Sequence, residues 1–172
     1  MSTSLETFPL SHPEQRIFLT QQMYPGSALW NLPVTLKIDG SLNFAALQQA
    51  VDWLTGEYDG LRLRFTEVEG DYRKYLAQTS EITVERLEPG EGGETAFDAW
   101  ALAAAREPLW ALEAPLARMA CIQFSPHRWG LFLNVHHIVT DGTGLMLAVA
   151  RRLEGYQAIV QGAALPATPG RS

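Results

Sequence analysis

The sequence has one cysteine in 172 residues, more acidic than basic side chains, and no long apolar run. A single cysteine excludes a framework of disulfide bonds, and Cys121, which lies in an apolar segment, is predicted to be a small buried side chain. The net charge of −6 leaves no basic stripe to neutralise nucleic-acid phosphates. Without an apolar run of membrane-spanning length, we expect neither a nucleic-acid partner nor a membrane span.

The first residues of the chain also lack the basic start and apolar core of a secretory signal. The sequence therefore predicts a cytoplasmic protein. Its hydrophobic content of 47% and charged content of 19% are typical of a globular protein, and its length suits one domain with a substantial core.

Apolar periodicity predicts an α+β fold in which helices cover a mixed or mostly antiparallel sheet. Ser11 and Glu14 have the spacing of a capping box, and Asn43 is a candidate cap for the second helix. Pro108 is expected to end the third helix. The predicted helices are 9–24, 41–58, 95–110 and 143–162, and the predicted strands are 32–40, a hairpin over 61–77, 82–88, 115–124 and 129–137.

The segment NVHHIVTDGTG, residues 134–144, joins the last predicted strand to the last predicted helix. In an extended strand His136 and His137 point to opposite faces, so they cannot have the same role. Both could be structural. His137 and Asp141 could contribute to a metal site, but such a site needs three or four convergent ligands and no others are evident. An imidazole can also act in acid–base chemistry near neutral pH.

Residues 136–142 match the pattern HHxxxDG in full, which resembles the signature of nonribosomal peptide synthetase condensation domains. Two further segments are similar to motifs of that family in the same order. Ser11, Gln15 and Arg16 resemble the first motif, and DGLRLRF, residues 59–65, resembles a motif with a Leu-Arg pair. The resemblance covers residues 9 to about 160 and implies the fold of chloramphenicol acetyltransferase.

The resemblance also implies a role for each motif residue. His137 would be catalytic, either taking a proton from the acceptor amine or holding that amine in position. His136 would support the turn, Asp141 would form an ion pair with Arg62, and Gly142 would leave room for the substrate arm. No metal and no tightly bound cofactor is implied.

One departure from the family pattern bears on the subtype of the domain. Glu57, Tyr58 and Asp59 stand where the family usually has Arg-His-Glu. This segment and YPGSALWN near the N-terminus are more similar to the starter branch, which attaches a fatty acyl group to the first amino acid. The donor would then be an acyl-CoA, and otherwise an acyl thioester on a carrier protein.

Family domains have two similar lobes, and residues 1–172 correspond to the N-terminal one, with 163–172 as the expected start of the connection to the second. We therefore expect the C-terminal lobe and a peptidyl carrier protein with its phosphopantetheine arm as partners, and an isolated lobe without activity. Two alternatives stay open: a non-catalytic lobe that docks a carrier protein, and a stand-alone acyltransferase of the same superfamily.

Overall fold

The computed structural model describes residues 6–167. In that range the chain contains a 3-10 helix at Asp59–Arg62 together with strands β1 (Phe8–Pro9), β2 (Asn31–Asp39), β3 (Leu63–Val68), β4 (Asp71–Leu76), β5 (Val84–Leu87), β6 (Ala117–Ser125) and β7 (Arg128–His136) and helices α1 (His12–Met23), α2 (Phe44–Glu57), α3 (Gly93–Ala104) and α4 (Gly142–Gln161).

The strands form two sheets, one of three strands in the order β1-β4-β3 and one of four strands in the order β2-β7-β6-β5. Among the strands of residues 6–167, only β5 pairs in parallel, with β6. The predicted mixed sheet under helices is confirmed. Its division into two sheets was not predicted, because periodicity does not show which strands pair across the fold. Strand β1 was missed as well, because two residues are too short to show a periodic pattern.

The larger sheet is covered on both faces. Leu131, Leu133 and Val135 alternate along β7 and pack under α2 and α4, in the main core. Phe132 points to the other face, where α3 covers it. This alternation is the pattern expected of a central strand that is buried on both sides.

A third cluster lies where α1 meets the smaller sheet, and it reaches the segment after β7. Phe18 of α1 packs there with Phe65 and Ile138. Val139, the next residue along the chain, packs against the main core as well as this cluster. The segment between β7 and α4 is therefore anchored on two sides by buried apolar contacts.

The predicted start signals of α1 and α2 are present. Glu14 accepts hydrogen bonds from the backbone N–H and hydroxyl of Ser11, at 2.6 and 2.7 Å. Asn43 accepts one from the N–H of Ala46 at 3.0 Å. Cys121 is fully buried, as predicted, and burial raises the pKa of its thiol to about 11.

Some predicted boundaries were wrong. The 3-10 helix occupies the start of the predicted hairpin, and α3 ends at Ala104, before Pro108 is reached. Residues 163–167 form neither helix nor strand, and the rest of the predicted connection, 168–172, lies outside the described residues. None of the helices in 6–167 is long and apolar enough to cross a membrane.

Candidate functional site

The HHxxxDG segment forms a turn that takes the chain from β7 into α4. The N–H of Val139 bonds to the carbonyl of His136 at 3.2 Å, which closes the turn. Asp141 is the N-cap of α4, and its side chain accepts a hydrogen bond from the N–H of Gly144 at 2.7 Å. The turn is therefore held by the pairing of β7 on one side and by a capped helix on the other.

His136 is buried and both of its ring nitrogens are engaged. Nδ1 accepts a hydrogen bond from the N–H of Ile138 at 3.2 Å, and Nε2 lies 3.3 Å from Oε1 of Gln21. Because Nδ1 is an acceptor, the proton is on Nε2 and is donated to Gln21. Burial, together with the neighbouring His137, lowers the pKa of His136 to about 4. His136 is therefore a neutral side chain that holds the turn.

Gln21, which belongs to none of the sequence motifs, connects this histidine to the segment after α1. It is 1% exposed, and its amide nitrogen lies 3.1, 3.3 and 3.3 Å from the carbonyl oxygens of Tyr24, Pro25 and Ser27. Its spacing of three residues from the buried Phe18 is a signal that places both side chains on the inner face of α1.

His137 has a different environment. It is half-buried, its backbone N–H bonds to the carbonyl of Trp30 at 2.7 Å, and its ring stands edge-on to the Trp30 indole with centroids 5.9 Å apart. Among residues 6–167, no hydrogen bond engages its imidazole side chain. Of the two motif histidines, His137 is the one whose ring remains available to another molecule.

The predicted ion pair between Arg62 and Asp141 is absent from the ion pairs of the described residues. Arg62 instead pairs with Asp59, at 2.6 Å, and lies 3.4 Å from the carbonyl oxygens of Ala77 and Gln78. Asp59 opens the 3-10 helix that ends at Arg62, so this acceptor is supplied locally, whereas the carboxylate of Asp141 caps α4.

The remaining predicted residues lie in or next to helices α1 and α4. Gly142 is exposed at the start of α4, and a Cβ built on it would meet no atom within 4 Å. Ser11 caps α1, the side-chain amide of Gln15 donates to the carbonyl of Leu10 at 3.0 Å, and Arg16 is exposed on α1. These contacts suit the capping and packing roles expected of the first motif.

An apolar cavity of about 330 Å³ lies beside the turn, between the larger sheet and α2, the 3-10 helix and α4. We call it the motif cavity. Val139, Thr140 and Gly144 of the turn segment border it. Val135, the residue before His136 on β7, is also part of its wall. Within residues 6–167, no group of three or more His, Cys, Asp or Glu side chains is placed to hold a metal ion.

Comparison with known proteins identifies the family. The family model described as "Condensation domain" matches residues 4–172. Tyrocidine synthase 3 of Brevibacillus parabrevis is 30% identical over 162 residues, which are 94% of this chain and 2% of that protein.

Solved structures share the fold. The starter condensation domain of rhizomide synthetase superimposes with a TM-score of 0.88 and 27% identity, over 94% of this chain and 40% of that one. A variant of that domain in complex with C8-CoA superimposes with a TM-score of 0.86 and 28% identity, over 94% of this chain and 38% of that one. The chain thus spans about two fifths of these structures and a small part of the tyrocidine synthase. On the family match over nearly its whole length, this chain belongs to the condensation domain family.

Proposed function

We propose that this chain is the N-terminal lobe of a condensation domain and that the complete domain joins an acyl donor to an amino acid held on a carrier protein. The observation that carries the proposal is the division between the two motif histidines. His136 is buried, neutral and engaged through both ring nitrogens, whereas His137, the next residue, is half-buried and its ring has no hydrogen bond within 6–167.

The reaction is amide formation. The α-amine of the acceptor attacks the carbonyl carbon of the donor thioester, the C–N bond forms, the C–S bond breaks and the thiol leaves. The proton lost by the amine ends on the thiolate sulfur. His137 contacts the amine, and it either accepts this proton on the way or holds the amine in line with the thioester.

Asp141 and Gly142 serve this reaction through the shape of the turn. Asp141 fixes the start of α4 and so the direction in which the chain leaves His137. Gly142 presents no side chain at the exposed start of the helix, which leaves space there for a phosphopantetheine arm. Neither residue takes part in a bond-making step.

For the donor, we propose an acyl-CoA. The solved neighbour with C8-CoA is a starter domain, and the apolar lining of the motif cavity suits a hydrocarbon chain. A carrier-bound acyl thioester is the alternative donor. The partners of this lobe are then the second lobe, which would close the other side of the site, and the carrier protein that brings the acceptor.

The experiment is an amide-forming assay with the complete condensation domain, an aminoacyl carrier protein as acceptor, and octanoyl-CoA or an aminoacyl carrier thioester as donor. His137→Ala should lower the rate about 10²- to 10⁴-fold, the range for loss of a proton-transfer group. His127→Ala is the matched control, because His127 is exposed in the β6–β7 connection and far from the turn in the strand register.

Amide formation that survives His137→Ala would contradict the assigned role. Binding of the carrier protein without any amide formation by the wild-type domain would favour a docking lobe instead. Reaction with the aminoacyl carrier thioester but not with octanoyl-CoA would reject the starter assignment and keep the condensation reaction.

A further inference from the structure

The motif cavity contains a fully buried charged side chain that nothing in the described structure neutralises. Arg152 of α4 borders the cavity and is 1% exposed. Its Nη1 lies 3.0 Å from the sulfur of Met119, a weak acceptor. Its Nε and Nη2 are buried without a hydrogen-bond partner, and no ion pair of residues 6–167 includes it.

Another buried arginine shows that this arrangement is unusual within the same chain. Arg64 is also 1% exposed, but both of its terminal nitrogens bond to backbone carbonyls, Nη1 to Leu61 and Leu63 and Nη2 to Ser80. A buried guanidinium normally has such acceptors, because an unpaired buried charge is strongly unfavourable. Burial without a counter-charge also lowers the pKa of Arg152 to about 10.

The carboxylates at the cavity do not fill this role. Glu57 and Asp59 both border the cavity. Asp59 is paired with Arg62 at 2.6 Å, and neither carboxylate lies within ion-pair distance of Arg152. In this structure no described residue therefore supplies an acceptor to Nε and Nη2 of Arg152.

The two unpartnered nitrogens of Arg152, Nε and Nη2, indicate which chemical group this side chain would bind. Nε and Nη2 form one edge of the guanidinium, and two parallel N–H groups on such an edge bind a carboxylate in a bidentate manner. The one bond that Arg152 makes is to a flexible thioether, so the side chain can turn this edge toward a ligand at small cost. The rest of the wall is mainly apolar, and includes Leu54, Leu133, Val135 and Leu145.

We propose that the motif cavity holds the far end of the donor acyl group and that Arg152 selects acyl groups that end in a carboxylate. The apolar wall contacts the chain and the free edge of Arg152 binds its terminal carboxylate. This inference rests on the proposed function for the identity of the ligand as an acyl donor. It adds to that function a substrate class and a specificity-determining residue.

The test is a binding titration of the complete condensation domain with two pantetheine thioesters of equal chain length, octanoyl-pantetheine and 7-carboxyheptanoyl-pantetheine. The wild type should bind the carboxylate ligand at least about tenfold more tightly, as expected for a bidentate charged pair. Arg152→Met should abolish or reverse this preference. Arg152→Lys, which keeps the charge but loses the bidentate guanidinium edge, should give an intermediate ratio of the two affinities.

Two controls separate this role from a structural one. Arg118→Met removes a guanidinium that is paired with Glu85 and Glu107 outside the cavity, and should leave the preference unchanged. Arg152→Met should not lower the Tm, because it removes a buried charge without a partner. A large fall in Tm, a wild type without the preference, a preference that persists in Arg152→Met, or binding of neither ligand would each overturn the inference.

The outcome is independent of the test of the proposed function. Amide formation from octanoyl-CoA that depends on His137 can occur in a domain without any carboxylate preference, which would overturn the specificity alone. An Arg152-dependent preference in a complete domain that forms no amide would overturn the condensation reaction and leave the binding specificity in place.

Discussion

Gly60 lies directly against the backbone carbonyl of Val139, so that a Cβ built on Gly60 would stand 2.8 Å from that oxygen. This contact joins the 3-10 helix to the HHxxxDG turn through main-chain atoms. The predicted side-chain ion pair between Arg62 and Asp141 would have joined the same two segments. The structure thus brings the two motifs together, but by close packing at a glycine.

Replacing Gly60 should therefore disturb the turn. Gly60→Ala should lower the free energy of unfolding by about 1–3 kcal/mol, since the backbone of the turn must move to admit the methyl group. Gly56→Ala is the matched control, because a Cβ at Gly56 of α2 meets nothing within 4 Å and should be neutral or stabilising. Urea denaturation of the two variants measures both effects. Equal stabilities would show that the contact is not tight.

The buried neutral His136 should make stability depend on pH. Its pKa is about 4 in the folded chain and ~6.5 in an unfolded one, so between these values the unfolded state binds the additional proton. Stability is full above pH ~6.5 and falls with pH toward ~4, by up to about 1.4 kcal/mol per pH unit. Denaturation curves across this range should show a flatter dependence for His136→Gln. An unchanged slope would mean that His136 titrates alike in both states.

The partner of Arg62 can be identified by double-mutant cycles. Arg62→Met combined with Asp59→Asn should show a coupling of about 0.2–1 kcal/mol, as expected for a pair with an exposed carboxylate. Arg62→Met combined with Asp141→Asn should show almost none, because asparagine keeps the cap and the structure contains no bond between the two residues. A larger coupling energy with Asp141 than with Asp59 would support the Arg62–Asp141 ion pair that the family resemblance implied.

The cap of α4 gives a further expectation. Asp141→Ala should cost about 1 kcal/mol of stability through loss of the bond to the N–H of Gly144, whereas Asp141→Asn should be close to the wild type. Thr143→Ala, at an exposed neighbouring position, controls for changes in the first turn of the helix. Thermal denaturation measures all three. If Asp141→Asn in the complete domain reduces amide formation at unchanged stability, Asp141 has a role beyond capping.

Local features of the chain were well predicted because they depend on neighbours in sequence. The caps at Ser11 and Asn43, and the hairpin whose turn at Glu69 and Gly70 has positive φ angles, require only residues a few positions apart. The different surroundings of His136 and His137 agree with the alternation expected of neighbouring residues in an extended segment.

The sequence by itself determined helices α1 to α4, strands β2 to β7, the burial of Cys121, and the strand–turn–helix around the motif, since each follows from short-range spacing and apolar periodicity. Only the tertiary structure decided the partners. It brought Gln21 to His136 and Gly60 to Val139, left Arg62 with Asp59, and enclosed Arg152 in an apolar cavity without a counter-charge. The physical reason is that a hydrogen bond or ion pair between residues far apart in sequence depends on how sheets and helices pack. Spacing along the sequence does not specify the distance between residues on different elements.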